Sequence, residues 1–307
     1  MLWSNSVTCE AHISNVRHHP WCRRHRRGLF LVVAAVHEVI DQKCSIIIGV
    51  GFSISSEIVK AGKANPKVKF AVVDDSALDC NADYSVCNPV ANVKGLTFAT
   101  NEAAFQAGYL AAGYSKTGVV ATYGGAPYPT VTIFMDGFAK GVAYYNKVKG
   151  KNVKVLGWDP AKPSAGTFVG DFSSTNKALQ LSQGFEQQGA DVIMPVAGGL
   201  GAATAGQSIK SGKSVTVWVD TDGYYSAPQF GSVLLTTVAK GLGAAVKSAI
   251  VDTAKGTFTN AAYVGTLKNK GVSMAPLHDF SSKVSSRLQL EVKVIGEKIA
   301  NGSLSAK

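Results

Sequence analysis

With 307 residues, 46% of them hydrophobic and only 17% charged, the chain is long enough to bury two cores of ordinary size and too apolar to be a disordered segment. No apolar run approaches the roughly eighteen residues that a membrane-spanning helix needs, which excludes a polytopic membrane protein. The formal charge of +11 divides into +4 from residues 1–28, where Arg17, Arg23, Arg24, Arg26 and Arg27 stand against Glu10, and +7 from the remainder; there the lysines are scattered singly as on a solvated surface, so nucleic acid is not an expected partner.

The first 28 residues also carry His12, His18, His19 and His25 with Trp3 and Trp21, and differ in kind from the rest of the chain. They read as an atypical basic opening, expected to be disordered. "RRHRRGLFLVVAAV", Arg23 to Val36, has the basic start and short apolar core of a secretory signal. No small-x-small cleavage site follows it cleanly, however, and the helical period continues through "HEVIDQKC". Leu29 to Lys43 therefore reads as one amphipathic helix feeding the strand "SIIIGVGF". Cys9 follows "NSVT", which is not an apolar lipobox.

From Ile46 apolar runs alternate with helical segments. The strand "SIIIGVGF" leads to the helix "SSEIVKAGKAN", the strands "KFAVVDD" and "VKGLTFAT", and the helix "NEAAFQAGYLAAGYSK". A second series runs from "GVVATYGG" through the helix "TIFMDGFAKGVAYYNKV", the strand "VKVLGWD", the helix "NKALQLSQGFEQQGA" and the strand "DVIMPVA". The helix "LGAATAGQSIKSG" and the strands "SVTVWVD" and "VLLTTV" complete it. Val/Ile-rich strands bounded by glycine and separated by helices predict an α/β protein whose parallel sheets are covered on both faces. Cys80 and Cys87 bracket "CNADYSVC" and read equally as a small disulfide or as two thiols in a loop; Cys44 reads as a core residue, Cys22 lies in the opening, and without a CxxC pair no zinc is expected.

Sheets of this kind place ligands at the carboxyl ends of strands, where backbone N–H groups of the next helix are free. The candidate edges are Gly49 to Phe52, Asp74 to Asp75, Tyr123 to Tyr128, Met194 to Gly199 and Asp220 to Asp222. Gly198 and Gly199 allow a tight strand exit and a close approach of backbone to ligand. Asp220 has the chemistry to accept two hydroxyl hydrogen bonds, as sugars require. Asp222 stands as a second contact or as the cap of the next turn, Lys240 as a cleft or a surface lysine, and Trp218 as a core residue. "GVGFSI" lacks the third glycine of a dinucleotide fingerprint and no P-loop lysine occurs, so no cofactor is expected. Outside the opening the histidines are His37 and His278, with no nucleophile–base pair in evidence; neither enzyme nor metal site is expected.

The segments "IIIGVGF", "NPKVKFAVVDD", "NVKGLTFATNEAAFQAGYLAA", "ADVIMPVAGGLG", "WVDTDGYY", "LLTTVAK" and "YVGTLKNKGVSMAPLHDF" occur in an order that resembles the basic membrane protein family. These are substrate-binding proteins of ABC importers related to purine nucleoside receptors, and the likeness covers roughly residues 37–303. It implies a type I periplasmic-binding fold, two doubly wound lobes joined by three hinge crossovers, closing on a ligand. It also implies an extracytoplasmic lipoprotein, acting as a monomer, that hands a nucleoside to a membrane permease. Asp220 matches the family's ribose-binding Asp, Lys240 its following Lys, and Gly198 and Gly199 the glycine pair beside the sugar. Met194 stands where the purine receptors stack an aromatic on the base, and Pro127 where they place an Asp; Phe52 and Tyr128 are the nearest aromatic replacements. No "D-x-S-F-N"-like segment stands before Leu29, so the first lobe is expected to lack its first βα unit.

The division expected is residues 29–116 for lobe 1, with part of 239–280 returning to it, and 117–238 for lobe 2, with a C-terminal helix about 284–303 packing on it. Two other functions are carried beside solute binding: a surface lipoprotein antigen with a degenerate pocket, and an intracellular ligand-sensing regulator on the same lobes.

Overall fold

The fold is that of a computed structural model, which describes residue 40, residues 44–81 and residues 85–307. The basic opening and, apart from Ile40, the helix expected over 29–43 lie outside the described residues. The chain forms two compact units, Met1–Phe98 with Leu242–Gly265 and Ala99–Gly241 with Thr266–Lys307, so it passes from one to the other three times.

In the first unit β1 (Ile46–Val50), β2 (Lys69–Val73), β5 (Val93–Phe98) and β11 (Tyr263–Gly265) form a parallel sheet in the order β1-β2-β5-β11. Helix α1 (Ser55–Ala64) turns Ile58, Val59 and Ala61 into the core against Ile47, Phe70 and Val72. It ends before Pro66, whose ring disfavours helical backbone at Asn65. Helix α7 (Leu242–Ala254) packs on β1, β2 and β5. The buried Lys94 ammonium is matched by Asp252 at 3.0 Å and lies 5.0 Å from the Phe258 ring centroid. Strands β3 (Leu78–Cys80) and β4 (Cys87–Pro89) form an antiparallel ribbon in which Cys80 and Cys87 face one another and are disulfide-bonded.

The second unit is built on a six-stranded sheet in the order β12-β10-β9-β8-β6-β7. Its strands are β6 (Val119–Gly124), β7 (Lys154–Leu156), β8 (Val192–Val196), β9 (Val215–Asp220), β10 (Leu234–Lys240) and β12 (Val272–Met274). All neighbours are parallel except β12, which runs antiparallel to β10 at the edge. Around it stand α2 (Thr100–Tyr114), α3 (Pro129–Lys149), α4 (Thr175–Gln187), α5 (Gly201–Ser211), α6 (Gly223–Ser226) and α8 (Ser286–Ala300). Helix α3 opens with Pro129, whose missing N–H costs nothing there, and closes on Gly150 at φ 62°.

Helices α2 and α3 approach through glycine. A Cβ at Gly108 would meet the Phe138 carbonyl, one at Gly137 the Asn101 carbonyl, and one at Gly141 the Phe105 carbonyl. This packing, with that of α8 on α2, groups residues 99–116 with the second unit, whereas the sequence division placed them in the first lobe. The apolar run of α2 is buried against helices of unit 2. Between α4 and α5, Glu186 is buried and accepts hydrogen bonds from Gln207, Ser211 and Ser214 at 2.6, 2.7 and 2.7 Å. Hydroxyls of Tyr123, Ser182 and Thr204, and of Ser208, Ser214 and Thr216, are paired in the same layer, so its buried polar groups find partners there.

The strand-exit site of the second unit

At the end of β9, Asp220 adopts φ 73°, a left-handed conformation uncommon outside glycine, and Thr221 N–H donates to the Val219 carbonyl at 3.0 Å. That bond, two residues apart across a positive φ, is a γ-turn of the strained kind. It brings the Asp220 carboxylate to 2.8 Å from Nζ of Lys240, the last residue of β10. The two side chains differ sharply in exposure: Lys240 keeps 5% of its surface and Asp220 keeps 39%. The Lys240 ammonium also lies 5.1 Å from the centroid of the Phe134 ring on α3. A buried cation thus holds one side of a carboxylate whose remaining acceptor capacity faces outward.

At the exit of the neighbouring strand, Gly198 and Gly199 follow β8 in a short 3-10 turn, exposed, with Gly198 at φ 54°. A Cβ on Gly199 would meet nothing within 4 Å, and one on Gly198 only Phe172, at 3.9 Å. The same edge of the Phe172 ring fills the space above Gly125, and the ring stacks on Tyr128 with centroids 6.4 Å apart and planes inclined by 22°. Tyr128 and Phe172 are both exposed. The loop that carries Phe172 is fixed by Asp171. The Ser174 hydroxyl, with backbone N–H groups of Ser173 and Ser174, donates to the Asp171 carboxylate and holds it well below the usual carboxylate range.

Of the sequence-predicted residues, then, the structure brings Asp220 and Lys240 into contact and gathers Gly198 and Tyr128 around Phe172. Asp222 takes the capping alternative. Its Oδ1 accepts the Tyr224 N–H at the start of α6, and its Oδ2 lies 2.9 Å from His278 Nε2. Met194 is a correction. β8 runs on to Val196, so Met194 is a mid-strand residue; its side chain is fully buried and offers no surface to a ligand. Phe52, in the first unit, is half-buried in the 3-10 turn after β1. Trp218 is half-buried, packed near Phe230 and against Gly223. Sequence reasoning passes over Phe172, whose only local signal is the loop-forming "GDFSS", and notes His278 in "PLHDF" only as a histidine with no nucleophile–base pair in evidence. Among the described residues, no group of three or more His, Cys, Asp or Glu is placed to hold a metal ion.

Two α/β units on parallel sheets, three passages of the chain between them, and polar side chains at strand exits define the type I periplasmic-binding fold. A solved structure of that fold, an ABC transporter system solute-binding protein from Aeropyrum pernix K1, matches with a TM-score of 0.71 at 20% identity, over 89% of this chain and 81% of that one. The chain belongs to the Bmp family, the PnrA-like ABC transporter substrate-binding proteins, whose model matches residues 31–307. It is thus a binding protein of an ABC transporter and not an enzyme. Basic membrane protein A1 of Borrelia garinii subsp. bavariensis is 27% identical over 266 residues, 85% of this chain and 71% of that protein. The ABC transporter nucleoside-binding protein BmpA of Lactococcus lactis subsp. cremoris is 30% identical over 249 residues, 76% of this chain and 64% of that protein.

Proposed function

We propose that the chain binds a nucleoside, or a similarly hydroxylated small molecule, at the strand exits of its second unit and delivers it to the permease of an ABC importer outside the cytoplasm. The observation that carries this is the Asp220–Lys240 pair: a half-exposed carboxylate on a strained turn, backed by a buried ammonium at 2.8 Å. A carboxylate so placed accepts two neighbouring hydroxyls while its charge stays compensated. The exposed Tyr128–Phe172 stack supplies flat apolar area for a base, the contact for which the sequence offered Met194, Phe52 and Tyr128. The lactococcal relative's nucleoside-binding name supports the ligand class. The Cys80–Cys87 disulfide supports an oxidising compartment, and no helix among the described residues is long and apolar enough to cross a membrane.

Calorimetric titration with adenosine, guanosine, uridine and D-ribose tests the reading. At least one nucleoside is expected to bind, and Asp220→Ala to abolish binding. Failure of every nucleoside, free base and sugar to bind the wild-type chain refutes it.

A further inference from the structure

The Asp220 turn does not hold itself. A positive φ outside glycine costs free energy and persists where the surroundings over-determine it, so the segment after it must be pinned. Several contacts do this, among them that of the Tyr224 hydroxyl, which donates to Asp279 Oδ1 at 3.2 Å. The Gly223 N–H donates to the Thr237 hydroxyl at 3.1 Å, the Thr221 hydroxyl lies 3.1 Å from that of Ser226, and the Asp222 carboxylate is divided between Tyr224 N–H and His278. The His278 contact comes from the most distant part of the chain, 56 residues on, and has the most elaborate support. The imidazole lies flat on the Tyr224 ring, with centroids 4.1 Å apart and planes 8° from parallel, and meets Tyr225 edge-on at 5.4 Å. His278 itself sits at φ 44°, a second strained backbone position in the same cluster. An ionised carboxylate only accepts, so Nε2 carries the proton and donates to Asp222 Oδ2.

We infer that His278 is a positioning residue for the ligand anchor: by donating to Asp222 it locks residues 221–226 and so holds Asp220 in the turn that presents its carboxylate. The inference rests on the reading of Asp220 as the anchor and adds a residue that never touches the ligand. A histidine that merely filled space would serve equally well without its donor.

The test uses the full chain and two readouts. One needs no ligand: hydrogen-exchange protection of the Thr221 amide, whose N–H closes the turn. The other is affinity for adenosine, guanosine and uridine. His278→Ala is expected to lower Thr221 protection and to weaken nucleoside binding by roughly tenfold, the loss of one charge-assisted hydrogen bond. His278→Gln, which keeps a side-chain N–H at similar reach, is expected to restore both. Unchanged Thr221 protection in His278→Ala overturns the inference, as does failure of Gln to restore it, since the ring would then act by packing alone. Should His278→Ala fail to fold, Asp222→Ser carries the test. Serine still caps α6 but offers His278 no carboxylate, and wild-type Thr221 protection in that variant overturns the inference. If the wild-type chain binds no nucleoside, the anchor reading fails, and Thr221 protection alone decides the role of His278.

Discussion

The pairing of Asp220 with Lys240 joins two demands on one residue. The backbone at 220 must sit at positive φ, which Asp and Asn tolerate better than other side chains, and the carboxylate must compensate an ammonium that keeps 5% of its surface. Asp220→Asn separates them, since it keeps the backbone preference and removes the charge. It is expected to lose ligand binding and to lower stability by on the order of 1 kcal/mol. Adding Lys240→Met should recover much of that stability but none of the binding, which urea unfolding and calorimetry on the two variants would show. The same residue scale marks where sequence reasoning stops. Position 220 is legible because a Val-rich strand ends there in an Asp. Position 194 misleads because "DVIMPVA" places a strand through Val196 while the resemblance set its methionine against a ligand, and the two-sided cover of the sheet leaves that side chain no exposed surface.

Among the elements, the pairing of α2 with α3 depends on the absence of side chains. Gly137→Ala puts a methyl against the Asn101 carbonyl, so one of the two helix backbones must shift to admit it. A loss of about 1–3 kcal/mol is expected, read as a lower urea midpoint with an unchanged slope. Helix α8 is tied in differently. Glu291 accepts from Lys149 at 2.6 Å, Tyr109 at 3.0 Å and Arg287 at 3.1 Å, and is held below its ordinary 4.5, first by the Lys149 hydrogen bond. Burial, with the hydrogen bond to Glu291, pushes the Tyr109 hydroxyl up. A carboxylate lowered on folding stabilises fully above its unfolded value, and the gain is lost as pH falls through the folded one. Glu291→Gln should therefore be less stable than the wild type at neutral pH, and the gap should close as melts are repeated below pH 4.5. Strand and helix runs from Ile46 onward are readable in the sequence, because two-sided burial forces continuous apolar strands. The antiparallel β12 is not, since three residues carry too little period to fix a direction. Nor is the disulfide, because spacing alone leaves thiols and a bond equally open.

At the scale of the whole molecule, the Cys80–Cys87 bond closes a loop of sequence separation 7, confined to a ribbon of the first unit. So short a loop constrains the unfolded chain less than the roughly 3 kcal/mol of a fifteen-residue one. Cys80→Ser with Cys87→Ser is expected to lower the melting point modestly and to leave nucleoside affinity intact; a collapse of binding in that variant would place the ribbon in the site. Larger consequences come from the order in which the chain builds its units. The first unit is made from two stretches far apart in sequence, and its last strand, Tyr263–Gly265, is synthesised only after Ala99–Gly241 of the second unit. Its sheet is therefore incomplete until residue 265 has left the ribosome, while all but the last portion of the second unit is already out. For a protein that works outside the cytoplasm, as proposed, late completion widens the interval in which the export machinery can engage a chain that has not yet folded shut.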